Sequence, residues 1–193
     1  MILEGAIPFA HKLLEKAVSK GGTVVDATCG NGHDTLFLSK LVGDTGKVYA
    51  FDIQQQAIDS TSALLASEHR KNVTLIKDSH AEVDQYIKNS SSVDAAVFNL
   101  GYLPRSDKTI ITKPKSTIAS LEKLLPLLKE GGIIVLVVYA GHPGGEEEKE
   151  AVLQFARSLD QKEYLAITYQ YINMVNHPPF VVAIEKNNRR NKA

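Results

Sequence analysis

The chain has 193 residues, of which 44% are hydrophobic, and its 22 basic and 22 acidic residues give a formal net charge of zero. This length and composition predict one globular domain spanning 1–193 and argue against extended disorder. Zero net charge argues against a nucleic-acid binder that relies on bulk charge, although it leaves room for a local basic face. No apolar run approaches the roughly 20 residues that span a bilayer, and the first residues lack a signal peptide's basic start and unbroken apolar core. We therefore expect a cytoplasmic protein with no membrane partner.

The predicted elements alternate between strands and helices along the chain. Apolar runs predict strands near 23–28, 47–53, 73–77, 94–100, 133–140, 165–173 and 180–185. Apolar residues spaced to share one helix face predict an N-terminal helix within 1–22 and further helices near 32–41, 57–65, 81–88, 114–128 and 151–159. Pro114 suits a helix start, and Pro126 is expected to kink or shorten the same helix. Residues 187–193 are expected to form a flexible tail.

This alternation predicts an α/β fold with a mainly parallel sheet and helices on both of its faces. The last two strands follow each other without a helix, which predicts a C-terminal antiparallel hairpin. Folds of this kind bind ligands beyond the carboxyl ends of their strands, at the point where the strand order reverses. Polar residues lie at or just after the carboxyl ends of the first four predicted strands, and they are Asp26, Asp52, Asp78 and Asn99. The loop after Ala140 is expected at the same edge.

The sequence VVDATCGNGHDT, residues 24–35, runs from the first predicted strand through a tight loop into a helix. Gly30 and Gly32 let the backbone turn sharply and approach a ligand closely. Free backbone N–H groups at a helix start favour an anionic group of that ligand. The alternative is an ordinary strand-to-helix turn with no ligand.

The acidic residues of this loop discriminate between ligand classes. A dinucleotide-binding loop carries a third glycine where this chain has Thr35, and carboxylates at Asp26 and Asp34 would repel a pyrophosphate. A ligand with both an ammonium and a carboxylate fits better, with the ammonium on Asp26 and the carboxylate at the helix start. S-adenosylmethionine has both groups, and its adenosine would fill the rest of the crevice.

The residues after the second and third strands extend the predicted cofactor site. Asp52 lies about twenty residues beyond the glycine loop, where an acid commonly binds ribose hydroxyls, and Gln54 would assist it. Asp78, Ser79 and His80 would lie along the adenine edge, and helix capping is the alternative role for both acids. The full predicted set is Asp26, Cys29, Gly30, Asn31, Gly32, Asp52, Gln54, Asp78, Ser79, His80 and Asn99.

Cys29, the single cysteine, excludes an intrachain disulfide and a cysteine-based zinc cluster. It lies inside the cofactor turn, where we expect it to be a small packed residue. Enzymes that methylate a pyrimidine ring carbon often attack the ring first with a thiolate, so a nitrogen or oxygen acceptor is favoured here. The histidines show no metal-ligand spacing, and no metal is expected.

The whole chain resembles the class I S-adenosylmethionine-dependent methyltransferases, whose landmarks it matches with DATCGNG, Asp52, Asp78 and NLGY. More narrowly, the segments VVDATCGNGHDT, FNLGYLP, TKPKST, YAGHPGG and NHPPF are similar to those of the MnmM (YtqB-like) family, formerly described as rRNA methylases. The resemblance implies a Rossmann-like, seven-stranded sheet, S-adenosylmethionine as cofactor and a homodimer. It also implies methylation of the 5-aminomethyl group of 2-thiouridine at the tRNA wobble position, with the tRNA anticodon loop as partner.

Methyl transfer requires an acceptor lone pair held in line with the methyl carbon, so an amine must react in its neutral form. Asn99 would lie beside the methyl group, where its side-chain carbonyl and the Leu100 backbone carbonyl could accept amine N–H groups. NLGY is similar to the Asn-Pro-Pro-Tyr element of amino-group methyltransferases but has Leu100 and Gly101 in place of both prolines. Tyr102 could stack on a base or pack in the core. His142, in the loop GHPGG, is the preferred proton acceptor among the histidines.

Basic residues near the end of the fourth strand could bind phosphates around an unstacked anticodon base. The predicted substrate contacts are Leu100, Gly101, Tyr102, Arg105, Lys113 and Lys115. The alternatives to a tRNA enzyme are a methyltransferase for rRNA or for a small-molecule amine or hydroxyl, and a non-catalytic S-adenosylmethionine-binding module. A dinucleotide-dependent dehydrogenase is disfavoured by Thr35 and the acidic loop.

Overall fold

The computed structural model of the chain describes residues 2–88, 92–101, 111–176 and 178–188. In chain order, the strands are β1 Thr23–Asp26, β2 Lys47–Phe51, β3 Val73–Ile76, β4 Val93–Leu100, β5 Leu128–Val138, β6 Tyr164–Tyr169 and β7 Phe180–Lys186. The helices are α1 Ala6–Ala17, α2 His33–Val42, α3 Gln55–Ser67, α4 Val83–Tyr86, α5 Pro114–Leu127 and α6 Gly145–Ser158, and a 3-10 turn over His80–Glu82 precedes α4.

Within the described residues, these seven strands form one sheet in the order β3-β2-β1-β4-β5-β7-β6. The pairs from β3 to β5 are parallel, whereas β7 lies antiparallel between β5 and β6. The predicted α/β class, the mainly parallel sheet and the C-terminal antiparallel hairpin are confirmed. The strand order reverses between β1 and β4, so their carboxyl ends border the crevice in which such sheets bind ligands.

The central strands of the sheet are buried under helices on both faces. Ala95 and Val97 of β4 pack with residues of α1 and α2 on one face, while Ala96 and Phe98 pack with residues of α5 and α6 on the other. Side chains alternate between the two faces of a strand, so a strand covered on both faces is apolar at nearly every position. Across the ranges that the structure describes, no helix is both long and apolar enough to cross a membrane.

The start of β5 differs from the sequence-based expectation. The strand begins at Leu128, directly after α5 ends one residue beyond Pro126, and its register against β4 shifts between Val93 and Ala95. A Cβ on Gly132 would lie 2.9 to 3.1 Å from three backbone oxygens. The glycine pair that was expected to precede the strand instead lies within it, at the irregularity where the register shifts, because the left-handed φ of Gly131 and the close backbone contacts of Gly132 both favour glycine. Pro126 lies within α5, whose last residue is Leu127, so the expected kink or shortening at this proline stays a prediction.

Gly32 forms the turn between β1 and α2. Its φ is +84°, and a Cβ there would lie 2.9 Å from Thr61 Oγ1 and 3.0 Å from Thr61 Cα. The left-handed backbone and the close approach of α3 each require glycine at this position. The turn of the glycine loop is therefore fixed by its contact with α3.

Replacing Gly32 should destabilise the protein more than replacing Gly131, which shares the left-handed backbone with a φ of +73° but has open space for 4 Å around the point that a Cβ would occupy. Both alanines incur about 1–2 kcal/mol of backbone strain, and Gly32→Ala adds a steric clash worth about 1–3 kcal/mol. Urea unfolding measures both variants. Equal losses of unfolding free energy would contradict the close packing of Gly32 on Thr61.

Asp26, at the end of β1, is a completely buried carboxylate. Its Oδ2 accepts a hydrogen bond from Thr35 Oγ1 at 2.6 Å, and its Oδ1 accepts one from the Thr28 N–H at 3.1 Å. Burial, followed by the nearby Asp34 charge, raises the pKa of Asp26 from 3.8 to about 7. The carboxyl therefore ties β1 to the first turn of α2 while holding its proton more tightly than an exposed aspartate.

The raised Asp26 pKa predicts a pH-dependent stability. Between pH 4 and 7 the folded protein binds a proton here that the unfolded chain releases, so this group's contribution to the unfolding free energy falls as pH rises. Asp26→Asn removes that titration, so the variant should gain stability relative to the natural protein as pH rises from 4 to 7, by at most about 1.4 kcal/mol per pH unit. Urea unfolding at each pH measures the difference, with exposed Asp59→Asn as the matched control. A pH-independent difference for Asp26→Asn would contradict the raised pKa.

Candidate active site

A cavity of about 940 Å³ lies at the carboxyl ends of the parallel strands. Residues after β1, β2, β3, β4 and β5 contribute to its wall, as do α1 and the first turn of α5. The predicted site residues that line it are Cys29, Gly30, Asn31, Asp52, Gln54, Asp78, Ser79, His80, Asn99, Gly101, Lys113 and His142. The fold thus brings together predicted residues from six separate segments of the chain.

Asp34, rather than Asp26, presents its carboxylate to the cavity. Asp26 is fully buried, and both of its oxygens already accept hydrogen bonds. Asp34 lines the cavity, and its side chain is 15% exposed. The predicted direct contact between Asp26 and a ligand ammonium is therefore corrected, because the glycine loop turns Asp26 into the protein and Asp34 outward.

Three other predicted residues lie away from the cavity wall. Gly32 is buried against Thr61 and shapes the loop from behind. Leu100 is buried, and its carbonyl accepts a hydrogen bond from the Tyr139 N–H at 3.2 Å. That carbonyl lies in the β4–β5 ladder, so the prediction that it accepts an amine N–H is corrected. Lys115 is exposed in the first turn of α5.

Two predicted substrate contacts, Tyr102 and Arg105, lie outside the described residues. Their proposed roles stay predictions from the sequence. Gly101, which directly precedes Tyr102, is described and lines the cavity. The chain therefore borders the site immediately before these two residues.

Asp52 connects the carboxyl end of β2 to the glycine loop. Its Oδ2 accepts a hydrogen bond from the Gly30 N–H, and its Oδ1 accepts one from the Gln54 N–H, both at 3.0 Å. Burial raises the pKa of Asp52, and the backbone N–H groups of Gln54 and Gly30 oppose that shift. The carboxylate is partly exposed and lines the cavity next to Ile53, whose side chain is 55% exposed.

His80 places an unpartnered acceptor in the cavity wall. Its Nδ1 lies 3.0 Å from the Ala27 carbonyl oxygen, which accepts only, so Nδ1 carries the proton and Nε2 is a bare acceptor. Burial lowers the pKa of His80, which keeps the ring neutral. Nε2 is buried and has no hydrogen-bond partner among the described residues. A buried acceptor of this kind calls for a donor on a ligand.

Asp78 and Ser79 support the same end of the cavity. Asp78 Oδ1 accepts the Ser79 N–H at 2.7 Å, and its Oδ2 accepts the Tyr86 hydroxyl at 2.8 Å. Ser79 Oγ accepts the Ala81 N–H at 3.2 Å and caps the 3-10 turn. Asp78 and Ser79 therefore line the cavity, and Ser79 also caps the 3-10 turn.

Asn99 is held in the cavity wall by two hydrogen bonds. Its backbone N–H donates to Thr28 Oγ1 at 2.7 Å, and its Nδ2 donates to Asp34 Oδ2 at 2.6 Å. Asp34 Oδ1 lies 2.7 Å from Nε2 of His11, a residue of α1. Although burial acts to raise the pKa of Asp34, hydrogen bonds from His11 and Asn99 hold that pKa below its usual value. The Asp34 carboxylate is thus ionised between two donors.

The opposite wall is anchored by a buried glutamate of α6. Glu148 Oε2 accepts the Thr112 hydroxyl at 2.5 Å, and its Oε1 accepts the Thr117 hydroxyl at 2.7 Å. Thr112 in turn accepts the Gly101 N–H at 2.9 Å. His142 lies beside this wall, 3.5 Å from the position of a Cβ built on Gly101. These hydrogen bonds tie the end of β4 to α6 through Thr112 and tie α6 to α5 through Thr117.

The sequence analysis assigned no role to several residues of the cavity wall. Four of them lie outside the segments that it singled out, and they are Ile7, His11, Ile53 and Ile111. The others lie inside those segments but were not selected as site residues, and they are Thr28, His33, Thr112, Ser116, Tyr139, Gly141 and Pro179. His11 shares α1 with a predicted apolar face and gives no local sign that it reaches the ends of the strands. Ile53 could have been found, because an apolar residue directly after the predicted ribose-binding Asp52 is exposed unless a ligand covers it.

The wall residues fit S-adenosylmethionine. The bare His80 acceptor matches an adenine amino group, Asp52 matches ribose hydroxyls, and the ionised Asp34 matches a positively charged group. Burial also raises the pKa of the Cys29 thiol, which keeps it protonated in the cavity wall. This state does not suit the thiolate attack that ring-carbon methylation often uses.

Comparison with known proteins identifies the relatives of this chain. Residues 48–185 match the family model described as "Putative rRNA methylase". The chain is 41% identical over 192 residues to the chloroplastic tRNA (mnm(5)s(2)U34)-methyltransferase of Arabidopsis thaliana, and the match covers 95% of this chain and 70% of that protein.

Two solved structures are similar over almost their whole length. A "putative rRNA-methylase" from Clostridium thermocellum superposes with a TM-score of 0.93 at 46% identity, covering 95% of this chain and 98% of the other. A "putative methyltransferase" from Streptococcus mutans, in complex with SAH, superposes with a TM-score of 0.88 at 42% identity, covering 95% and 99%. The chain therefore belongs to the "Putative rRNA methylase" family of S-adenosylmethionine-dependent methyltransferases.

Proposed function

We propose that this enzyme methylates the primary amine of 5-aminomethyl-2-thiouridine at the wobble position of tRNA. The observation that carries the proposal is the Asn99 carboxamide in the cavity wall, whose Nδ2 donates to Asp34 while none of the described residues donates to its Oδ1, so that Oδ1 can accept an N–H group of a ligand. The 41% identity to a protein named as a tRNA (mnm(5)s(2)U34)-methyltransferase supports the choice of nucleoside.

Residues at the carboxyl ends of β1, β2 and β3 would hold S-adenosylmethionine in this proposal. Asp52 would accept hydrogen bonds from the ribose hydroxyls, Ile53 would cover one face of the adenine, and His80 Nε2 would accept an N–H of the adenine amino group. The loop over 29–31 would contact the methionine end. When bound, S-adenosylmethionine supplies a methyl group that is activated by its positively charged sulfur.

The acceptor amine lies between the cofactor and Asn99. Asn99 Oδ1 accepts one amine N–H and thereby directs the nitrogen lone pair toward the methyl carbon. The Asp34 carboxylate, next to the carboxamide, attracts the cationic amine into the site. His142, on the far wall, is placed to receive the proton that the amine must lose. Tyr102 would follow directly after the wall residue Gly101 and cover the base.

Basic side chains at the cavity rim support an RNA substrate. Lys113 lines the cavity and is exposed, and Lys115 is exposed two residues later, in the first turn of α5. With the predicted contribution of Arg105, they would bind phosphates of the anticodon loop around an unstacked wobble base. Zero net charge across the chain fits a local contact of this kind better than a broad basic face.

We also propose a homodimer and a single functional domain. The edge strand β6 exposes both faces, and Leu165 and Ile167 on it are 52% and 51% exposed. An open edge with apolar side chains is a surface that a second copy would cover. One continuous sheet supports the single domain. A tRNA substrate is consistent with the expected cytoplasmic location.

The reaction can be tested by incubating the enzyme with labelled S-adenosylmethionine and tRNA that carries the unmethylated 5-aminomethyl group. We expect label on the amine nitrogen of the wobble nucleoside, identified by mass spectrometry of the nucleosides. Asn99→Ala should lower turnover about 100-fold, because the amine loses its positioning group, while the SAH dissociation constant stays within about threefold. Asn187→Ala, at a half-buried residue after β7 that does not line the cavity, is the matched control and should keep full activity.

Other labelled products would separate the alternatives. Label on a ring carbon, on a ribose hydroxyl, in rRNA or only on a small-molecule amine would contradict the proposed substrate. SAH binding without any transfer would indicate a binding module in place of an enzyme.

The His80 contact predicts discrimination at the adenine amino group. The natural protein should bind SAH about tenfold more tightly than S-inosylhomocysteine, in which an oxygen replaces that amino group, because the buried Nε2 then lacks a donor. His80→Phe keeps an aromatic ring next to Phe98 and should reduce this preference. Isothermal titration of both ligands against both proteins forms a double-mutant cycle. An unchanged preference in His80→Phe would show that His80 does not read the amino group.

A further inference from the structure

Three side chains from distant parts of the chain form a continuous hydrogen-bonded chain along the cavity wall. His11 Nε2 of α1 lies 2.7 Å from Asp34 Oδ1, and Asn99 Nδ2 at the end of β4 lies 2.6 Å from Asp34 Oδ2. We call these three residues the carboxamide relay. This relay joins α1, α2 and the end of β4.

The direction of each hydrogen bond follows from the central carboxylate. Hydrogen bonds hold the pKa of Asp34 below its usual value, so the group is ionised near neutral pH and accepts only. His11 must therefore carry a proton on Nε2, and Asn99 must present its NH₂ group to Asp34. The Asn99 Oδ1 atom is then directed away from Asp34, toward the acceptor.

His11 is itself held rigidly. Its ring stacks on Phe37 of α2 with a centroid separation of 3.9 Å and an interplanar angle of 7°, and its side chain is 28% exposed. The buried face of α1, through Ala10 and Leu14, packs into the core beneath the same surface. Because stacking fixes the ring plane, the Nε2–H direction and hence the position of Asp34 are fixed as well.

We propose that His11 is a positioning residue for methyl transfer: by donating to Asp34, it fixes the Asn99 carboxamide with Oδ1 toward the acceptor amine. This inference rests on the proposed function. Without the His11 donor, Asp34 Oδ1 is free to rotate toward other donors, and the Asn99 amide can turn so that NH₂ faces the amine. An N–H group of the Asn99 amide would then face an N–H group of the amine. The nitrogen lone pair of the amine would no longer point toward the methyl carbon.

The carboxylate also makes Asn99 a stronger acceptor. A donor that is bound to an anion polarises its own amide, which increases the negative charge on Oδ1. The amine nitrogen keeps its lone pair while donating one N–H to that oxygen. The lone pair forms the new N–C bond, the C–S bond breaks with its electrons left on sulfur, and the product is a secondary ammonium ion that later loses a proton. The relay takes no proton in this step; it orients the atoms that react.

Two substitutions separate the hydrogen bond from the packing of the ring. His11→Phe keeps a ring against Phe37 but removes the donor, whereas His11→Gln keeps an N–H donor for Asp34 but removes the ring. We expect His11→Phe to lower kcat by about 10- to 100-fold, with the KM for tRNA and the SAH dissociation constant within about threefold. His11→Gln should restore most of kcat. The control is His69→Asn, at an exposed residue whose φ of 53° asparagine tolerates.

A spectroscopic signature tests the relay without turnover. In the protein alone, the Asn99 side-chain NH₂ protons should show one resonance shifted downfield by its carboxylate partner in ¹⁵N–¹H spectra. That shift should persist in His11→Gln and in His69→Asn. It should decrease in His11→Phe and disappear in Asp34→Asn, which replaces the carboxylate.

The outcomes distinguish this inference from the proposed function. Full kcat and an unchanged Asn99 resonance in His11→Phe would overturn the positioning role and leave the proposed function intact. Parallel losses of thermal stability, SAH affinity and kcat in both His11 variants would overturn it too, because they would assign His11 to the packing of α1. If the natural protein did not methylate the wobble amine, the proposed function would fail and the role in methyl transfer with it, whereas the resonances would still report on the relay as a structural feature.

Discussion

The active site depends on the Asp34 carboxylate and on the two hydrogen bonds that it accepts. It accepts hydrogen bonds from His11 and Asn99, and each of these residues comes from a different layer of the fold. A carboxylate satisfied by two donors in a partly buried position has a defined orientation, so it transmits the placement of α1 and α2 to the end of β4. In this account, the alignment of the acceptor amine depends on how α1 and α2 pack against the end of β4.

The two aspartates of the glycine loop show how nearby carboxyl groups take different roles. Asp26 is fully buried beside a second acid, and its pKa is raised to about 7, whereas hydrogen bonds from His11 and Asn99 lower the pKa of Asp34. Environments that push two pKa values apart assign different tasks to the same chemical group. Asp26 ties β1 to α2, and Asp34 presents a stable negative charge to the cavity.

The sequence alone predicted the architecture well, because strands buried on both faces and separated by amphipathic helices leave a strong pattern. β4 illustrates this: its apolar run ends at Asn99, and the parallel arrangement places that residue at the ligand-binding edge. The exchange of Asp26 for Asp34 could not be predicted, since the direction of each side chain depends on the left-handed turn at Gly32. His11 was missed because its partner is 23 residues away and no local pattern marks a contact of that range. The earlier start of β5 was missed for a related reason, since a glycine pair is as typical of a loop as of an irregular strand segment.

The measurement that tests this account most directly is a crystal structure of the enzyme with SAH and an anticodon stem-loop bearing 5-aminomethyl-2-thiouridine. The account predicts Asn99 Oδ1 within about 2.7–3.2 Å of the amine nitrogen, Nδ2 still on Asp34, and the amine facing the cofactor sulfur. A complex in which the amine lies away from Asn99, or in which the Asn99 carboxamide has left Asp34, would contradict it.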